Sequence, residues 1–338
     1  LNKNMSPKKN NKRLLAVLTM ALFSIVSFAQ GVKLADGVEP LPADAETPGS
    51  EYTLVFHDEF NEPDGTLPNT KVWRYCTRRP KVTWARFLSN SPEVAFMKDG
   101  NLVLRAIPNS DRSKDDVEML SGGIETSQSF TFRFGRVECR AMINPFVGNF
   151  PAIWMMPKSK FGWPKGGEID IFEQIDNEQR CYATVHSAWT KSHGNEPHSG
   201  NLWMPMNRYH TYAVEWEEDV LTFFADGKRV FQYKKQNDSQ EQWPFDKSNF
   251  YLILNQSVGN GSWAKKADVN HTYEMRVDWI RVYQKEKHIP TGISVPMTKI
   301  QESTESDDIY SLQGAKMGIE VNELPKGIYV SNGRKFVK

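Results

Sequence analysis

Gly166-Gly167-Glu168-Ile169-Asp170-Ile171-Phe172-Glu173-Gln174 places three carboxylates on one short apolar segment. Side chains alternate faces along a strand, so Glu168 and Asp170 share a face while Ile169 and Ile171 point the other way. Glu173 breaks that parity: a regular strand would send it to the isoleucine face. One extra residue at Ile171 or Phe172, a β-bulge, returns all three acids to one face, and bulges recur beside active sites because they re-aim side chains. The segment is therefore expected to be a bulged strand, polar toward a cleft and apolar toward a second sheet.

The flanking sequence reads as more strands. Tyr52-Thr53-Leu54-Val55-Phe56, Leu102-Val103-Leu104-Arg105-Ala106, Arg136-Val137-Glu138-Cys139-Arg140-Ala141 and Tyr251-Leu252-Ile253-Leu254 are short and rich in β-formers. Asp226-Gly227 between Leu221-Ala225 and Lys228-Tyr233 is a strong hairpin signal. No long helical periodicity competes, and many short strands separated by turns imply a sandwich or barrel.

Paired acids on one face suit glycoside hydrolysis, in which retaining enzymes place a nucleophile and an acid/base roughly 5 to 5.5 Å apart. Four regular strand steps separate Cα atoms by roughly 13 Å, an excess that a bulge, curvature and inward-leaning glutamates reduce. Asp170, between the two, is placed to hydrogen-bond the nucleophile and to raise the pKa of the acid.

The segment Glu168-Ile169-Asp170-Ile171-Phe172-Glu173 resembles the bulged active-site signature of glycoside hydrolase family 16, in its laminarinase-like E-I-D-x-x-E branch. Further matches follow in family order: Phe56-His57-Asp58-Glu59-Phe60, Asp99-Gly100-Asn101-Leu102, Ser121-Gly122-Gly123-Ile124 and Phe134-Gly135-Arg136-Val137-Glu138. Pro151-Ala152-Ile153-Trp154-Met155 precedes the acidic strand; Thr184-Val185-His186, Glu215-Trp216, Leu254-Asn255 and Asp278-Trp279-Ile280-Arg281-Val282-Tyr283 come after it. The resemblance implies an all-β jelly-roll β-sandwich of two curved antiparallel sheets with a concave catalytic cleft. It also implies Glu168 as nucleophile, Glu173 as acid/base and Asp170 as assistant, without a catalytic cofactor. Trp154, Trp163 and Trp263 are expected to line the cleft, and His186 to reach a carboxylate or a sugar hydroxyl. Asn90 and Arg86 are expected hydrogen-bond donors to substrate. A structural calcium of the kind many family members hold would use Glu59, Gly100 and Asp278, since hard oxygen ligands suit that ion. Trp216 and Trp279 read as core.

Composition bounds the partners. Aromatics are 12% of the chain and tryptophans number ten, a supply suited to stacking on sugar faces, while a net charge of +1 gives no nucleic-acid footprint. A neutral polysaccharide fits that balance, and nothing calls for more than a monomer. Lys8, Lys9, Lys12 and Arg13 precede an apolar run from Leu14 to Phe28, read as a signal peptide over residues 1–29 rather than a membrane span. The protein is thus expected in the periplasm, on the cell surface or outside the cell. Cys76, Cys139 and Cys181 allow at most one internal disulfide and show no metal spacing. His193 and His198 likewise match no rigid ligand pattern.

Residues 30–50, with Pro40, Pro42 and Pro48, read as a linker, 51–285 as the catalytic domain, and 286–338 as a linker and small β-rich tail that resembles sorting signals. The expected activity is endo-acting, retaining cleavage of β-1,3-glucan or mixed-linkage β-1,3-1,4-glucan. Two other readings stand beside it: the same chemistry on a galactose-containing polymer, such as an agar-type galactan or host lactosamine glycan, and a carbohydrate-binding sandwich without turnover. Gln174-Ile175-Asp176-Asn177 and the loop from His193 to His198 depart from the laminarinase pattern and favour the galactose alternative.

Overall fold

The computed structural model describes residues 32–42, 45–194 and 197–289, together with the backbone of Ile309–Ser311, Ile328–Ser331 and Arg334–Val337. The expected signal peptide lies outside the described residues. Helix among the described residues is limited to Ala188–Ser192 and three short 3-10 turns, so the fold is nearly all β.

Seven strands form the sheet that carries the acids, in the order Ser199–Trp203, Arg180–His186, Glu168–Glu173, Asn149–Pro157, Phe250–Val258, Gly123–Glu125 and Arg74–Tyr75. The second sheet has ten strands. Its longest strand, Tyr273–Lys285, bonds to Tyr52–Asp58, Asn101–Pro108 and Gly135–Ile143, and the sheet continues through His210–Trp216 to the hairpin Val220–Ala225 and Lys228–Lys234. Pairing is antiparallel throughout, except where Lys33–Leu34 runs parallel to Thr53–Leu54. The expected jelly-roll sandwich is observed.

Strand alternation builds the core between the sheets. Cys181, Ala183 and Val185 point inward while Tyr182, Thr184 and His186 point to the other face. Ile169, Ile171 and Phe172 are buried in the same core, and the Phe172 ring lies 4.1 Å from that of Tyr212 on the second sheet. A relay of rings, Phe56, Phe130, Phe132, Trp216 and Phe250, fills the interior with centroid spacings of 4.5, 5.3, 5.7 and 5.0 Å. Such contacts add to the burial of large apolar area. Trp216 is core as expected. Trp279 is not: it is half-buried, with the Arg281 guanidinium 4.0 Å from its ring centre.

The Asp226-Gly227 turn has φ of 47° and 70°, the pair of left-handed residues that a tight hairpin with matching twist requires. Asp226 Oδ1 accepts from the Thr211 amide, and Oδ2 lies 2.6 Å from His210 Nδ1. Cys76, Cys139 and Cys181 are all buried and unpaired.

Two expected boundaries move. The described part of 30–50 is docked rather than free: Val32, Val38 and Leu41 pack against Tyr52, Leu54 and Tyr283, and His57 Nε2 lies 3.0 Å from Glu39 O. Apolar side chains between the prolines give this segment something to bury. At the other end the body continues to 289, where Ile289 packs on the core and His288 lies 3.1 Å from Glu218. Within the tail, Ile309–Ser311, Ile328–Ser331 and Arg334–Val337 form a three-stranded antiparallel sheet, one strand more than the sequence suggested. The rest of the tail lies outside the described residues.

Candidate active site

The strand Glu168–Glu173 sits between Asn149–Pro157 and Arg180–His186, and its register shows the extra residue. Asp170 pairs with Thr184 and Glu173 with Tyr182, so three steps on one strand match two on its neighbour. On the other side Asp170 pairs with Trp154 and Phe172 with Ile153, which places the inserted residue at Ile171. Directly opposed residues share a face, so Glu168, Asp170 and Glu173 all stand with His186, Thr184, Tyr182 and Trp154, away from the core. Gly167, at φ 90°, makes the entry possible: a Cβ there would meet Pro244 Cγ at 2.9 Å.

The three acids are packed into low dielectric. Asp170 is 3% exposed, and its Oδ2 makes no hydrogen bond. His186 Nε2 lies 3.4 Å from that oxygen and 3.7 Å from Glu168 Oε1. Burial and then the Asp170 charge push the Glu168 carboxyl well above the usual carboxylate range, opposed by His186 and by a hydrogen bond from the Trp163 side chain. Burial alone drives Asp170 up. Glu173 is pushed up to about 8 by burial and by Asp170, against His186 and a hydrogen bond with Thr184. Three carboxyls this close cannot all be ionised, so the site holds protons at neutral pH. The ligand atoms of Glu168, Asp170 and His186 also lie within 4.8 Å of one another, close enough to hold a metal ion, and they coincide with the groups the chemistry requires.

Two exposed indoles bracket the acids. Trp163, 51% exposed, lies at the Glu168 end, 5.9 Å from the His186 ring and with Lys191 Nζ 5.5 Å from its centre. Trp263, 49% exposed, lies at the Glu173 end, edge-on to Tyr182 at 5.5 Å. Its loop is fixed by Asp176, whose Oδ1 accepts from the amides of both Gly148 and Lys265. Gln174 caps the same turn, donating to the carbonyls of Ile175, Asp176 and Glu178. The Gln174–Asn177 segment that departs from the laminarinase pattern is thus a hub that positions loops.

Other expected site residues are reassigned. Trp154 stands on the cleft face but is only 5% exposed: it donates from Nε1 to Asn255 Oδ1 at 2.7 Å and lies under Trp84, 4.8 Å away and nearly perpendicular. It forms the floor beneath the cleft rather than a stacking surface. Arg86 is not available to substrate, because its guanidinium donates to the carbonyls of Thr83, Val258 and Gly259 at 3.0, 2.8 and 2.7 Å, which ties one loop to the end of a strand. Asn90 is exposed.

The calcium expectation does not fit. Glu59 is gripped by Arg281 through both oxygens, at 2.9 and 2.8 Å, and by His57 at 3.1 Å. Burial would raise its carboxyl, but these partners outweigh burial and hold it low. Asp278 is paired with Arg140. With both carboxylates neutralised by arginines, the set lacks the free anionic oxygens a hard cation requires. Sequence reasoning missed Thr184 and Tyr182 as cleft residues beside Glu173; both follow from the alternation of Arg180–His186 once that strand is paired with the acids.

Residues 85–281 match the family described as Glycosyl hydrolases family 16. The chain belongs to that family. A relative in Sphingobacterium multivorum, a keratan-sulfate endo-1,4-beta-galactosidase, is 34% identical over 240 residues, covering 70% of this chain and 56% of its own length. A glucan endo-1,3-beta-glucosidase of Niallia circulans is 33% identical over 269 residues, covering 69% of this chain and 38% of its own. This family 16 chain therefore spans well under two thirds of either relative. Among solved structures, a non-specific endo-beta-1,3(4)-glucanase of the family superposes with a TM-score of 0.64 at 32% identity, over 76% of this chain and 97% of that one.

Proposed function

We propose that this family 16 protein is an exported, endo-acting, retaining β-glycosidase. The observation that carries the reading is the one-residue bulge at Ile171, which aligns Glu168 and Glu173 on one face between two exposed indoles. Glu168 attacks the anomeric carbon while Glu173 protonates the leaving oxygen; water deprotonated by Glu173 then releases the glycosyl-enzyme with net retention. A carboxyl that titrates at about 8 is protonated at neutral pH, as the acid step requires. Asp170, the most buried of the three, keeps its proton and shares it with Glu168, so that the pair carries one negative charge available for attack. The basic then apolar residues before position 29 support export, and no helix among the described residues is long and apolar enough to cross a membrane.

The substrate we favour is a galactose-containing chain of the lactosamine type. Similarity to the keratan-sulfate enzyme supports it, as do basic groups near both ends of the cleft face: Lys191 beside Trp163, and Arg180 on the strand that carries Tyr182. Such groups suit a chain with anionic substituents and are superfluous for neutral glucan. β-1,3-Glucan or mixed-linkage glucan is the second reading, supported by the likeness to the endo-1,3(4)-glucanase. Incubation with β-glucans, galactans and keratan-type glycans, with product size, linkage and anomer recorded, separates the two. Glu168→Gln should lower kcat by about 10⁴-fold or more, the scale on which loss of a catalytic group is felt, with the circular dichroism spectrum unchanged. Full activity in that variant, or inverted products, would refute the mechanism.

A further inference from the structure

The strand Ser199–Trp203 forms the free edge of the acid-bearing sheet and pairs residue for residue with its neighbour: Ser199 with Thr184, Asn201 with Tyr182 and Trp203 with Arg180. Ser199, Asn201 and Trp203 are exposed, whereas Leu202 between them packs on the core. Opposed residues share a face, so Trp203 stands on the face that carries Glu173, Asp170 and His186. Two polar contacts confirm the register on that face: Arg180 donates to Asn201 Oδ1 at 3.3 Å, and Ser199 Oγ lies 3.3 Å from Thr184 Oγ1. Trp203 is 67% exposed, more than any other large apolar side chain among the described residues.

An isolated exposed tryptophan on a convex surface would require no explanation. This one is placed in line. Two strand spacings and two residue steps put its Cα about 12 Å from that of Glu173, a span longer than one sugar ring. Tyr182 and Asn201 cover the ground between, with Trp263 leaning over Tyr182. The path from the acid to the sheet edge is therefore polar groups on the floor with an indole near each end, the lining of a carbohydrate groove.

We propose that Trp203, with Arg180 beside it, forms an outer subsite that stacks one pyranose of the glycan chain at a distance from the bond being cut. The inference rests on the glycosidase reading above and extends it to chain length. The apolar face of the sugar lies on the indole, and its hydroxyl or anionic substituents receive hydrogen bonds from the guanidinium, which is fixed across the strand pair by Asn201. Because this contact is made equally before and during bond cleavage, it acts on binding and leaves the chemical step alone.

The test uses the full chain and two size-graded series, β-1,3-gluco-oligosaccharides and N-acetyllactosamine oligosaccharides. Trp203→Ala should raise KM for the longest members about five- to tenfold, the size of one aromatic contact. Its kcat, and all constants for the shortest cleaved member, should match wild type, and Trp203→Tyr should restore most of the loss. Unchanged KM across the series overturns the subsite, as does an equal loss at every length. Wild-type protein that releases no reducing ends from either series overturns the glycosidase reading and this inference with it, whereas wild-type turnover with an unaffected Trp203→Ala overturns only the inference.

Discussion

The acid trio couples protonation to both chemistry and stability. Glu173 is pushed up to about 8 in the folded protein, from an ordinary value of 4.5. The folded state thus binds more protons than the unfolded chain between those values, and stability contributed by the protonated form is complete below 4.5 and lost as pH rises through about 8. Glu173→Gln removes the cost of ionising a buried group, so its melting temperature should exceed that of wild type at pH 8 to 9 and converge with it near pH 4. For a domain of this size each kcal/mol relieved is about 2–4 °C, readable by calorimetry across the pH range. Asp170→Asn acts on the same group from the other side. It confines the shared charge to Glu168 and withdraws it from Glu173, so the alkaline limb of kcat should move to lower pH and kcat should fall about 10- to 100-fold. An alkaline limb unchanged in Asp170→Asn would mean that burial alone sets the acid.

At the scale of elements, the bulged strand was legible because parity is arithmetic: an odd separation between two acids that must converge demands one extra residue. The Asp226-Gly227 hairpin was legible for a similar reason, since few residues tolerate the left-handed backbone it uses. Side chains that hold loops were not. Arg86 reads as a substrate donor until Val258 and Gly259, far along the chain, are seen to take its protons. Glu59 reads as a calcium ligand until Arg281 is found across the strand pair. In both cases the deciding partner is distant in sequence, and local pattern carries no trace of it. Asp176 shows what such anchors do. Its carboxylate is the shared acceptor for two loops, one of which carries Trp263. Asp176→Ala leaves two amides without partners and places alanine at φ 53°, so it should cost about 2–4 kcal/mol and raise KM while the alkaline limb of kcat stays in place. Asn at that position accepts a hydrogen bond and tolerates left-handed backbone, and should recover most of the loss.

Across the whole molecule the sandwich was predictable from strand content, but its margins were not. Prolines and acids between 30 and 50 suggested a linker, yet Val32, Val38 and Leu41 find an apolar surface around Tyr52 and Tyr283. Burial outweighs local composition there. A chain that starts at residue 51 should therefore melt about 5–10 °C below one that starts at 32, from loss of about 2–3 kcal/mol of apolar burial, with kcat unchanged. Equal melting temperatures would show that the docked segment is incidental.

One feature of the fold separates what this protein does from what it does it to. Both reacting carboxylates lie on a single strand bonded on each side, so their spacing is fixed by covalent connectivity plus one inserted residue. The rim lies elsewhere, on the segments around Trp163, His193 and Trp263 and on the outermost strand. Insertions there redraw the groove without touching the ruler between Glu168 and Glu173. A lineage built on this plan can change its diet without passing through an inactive ancestor.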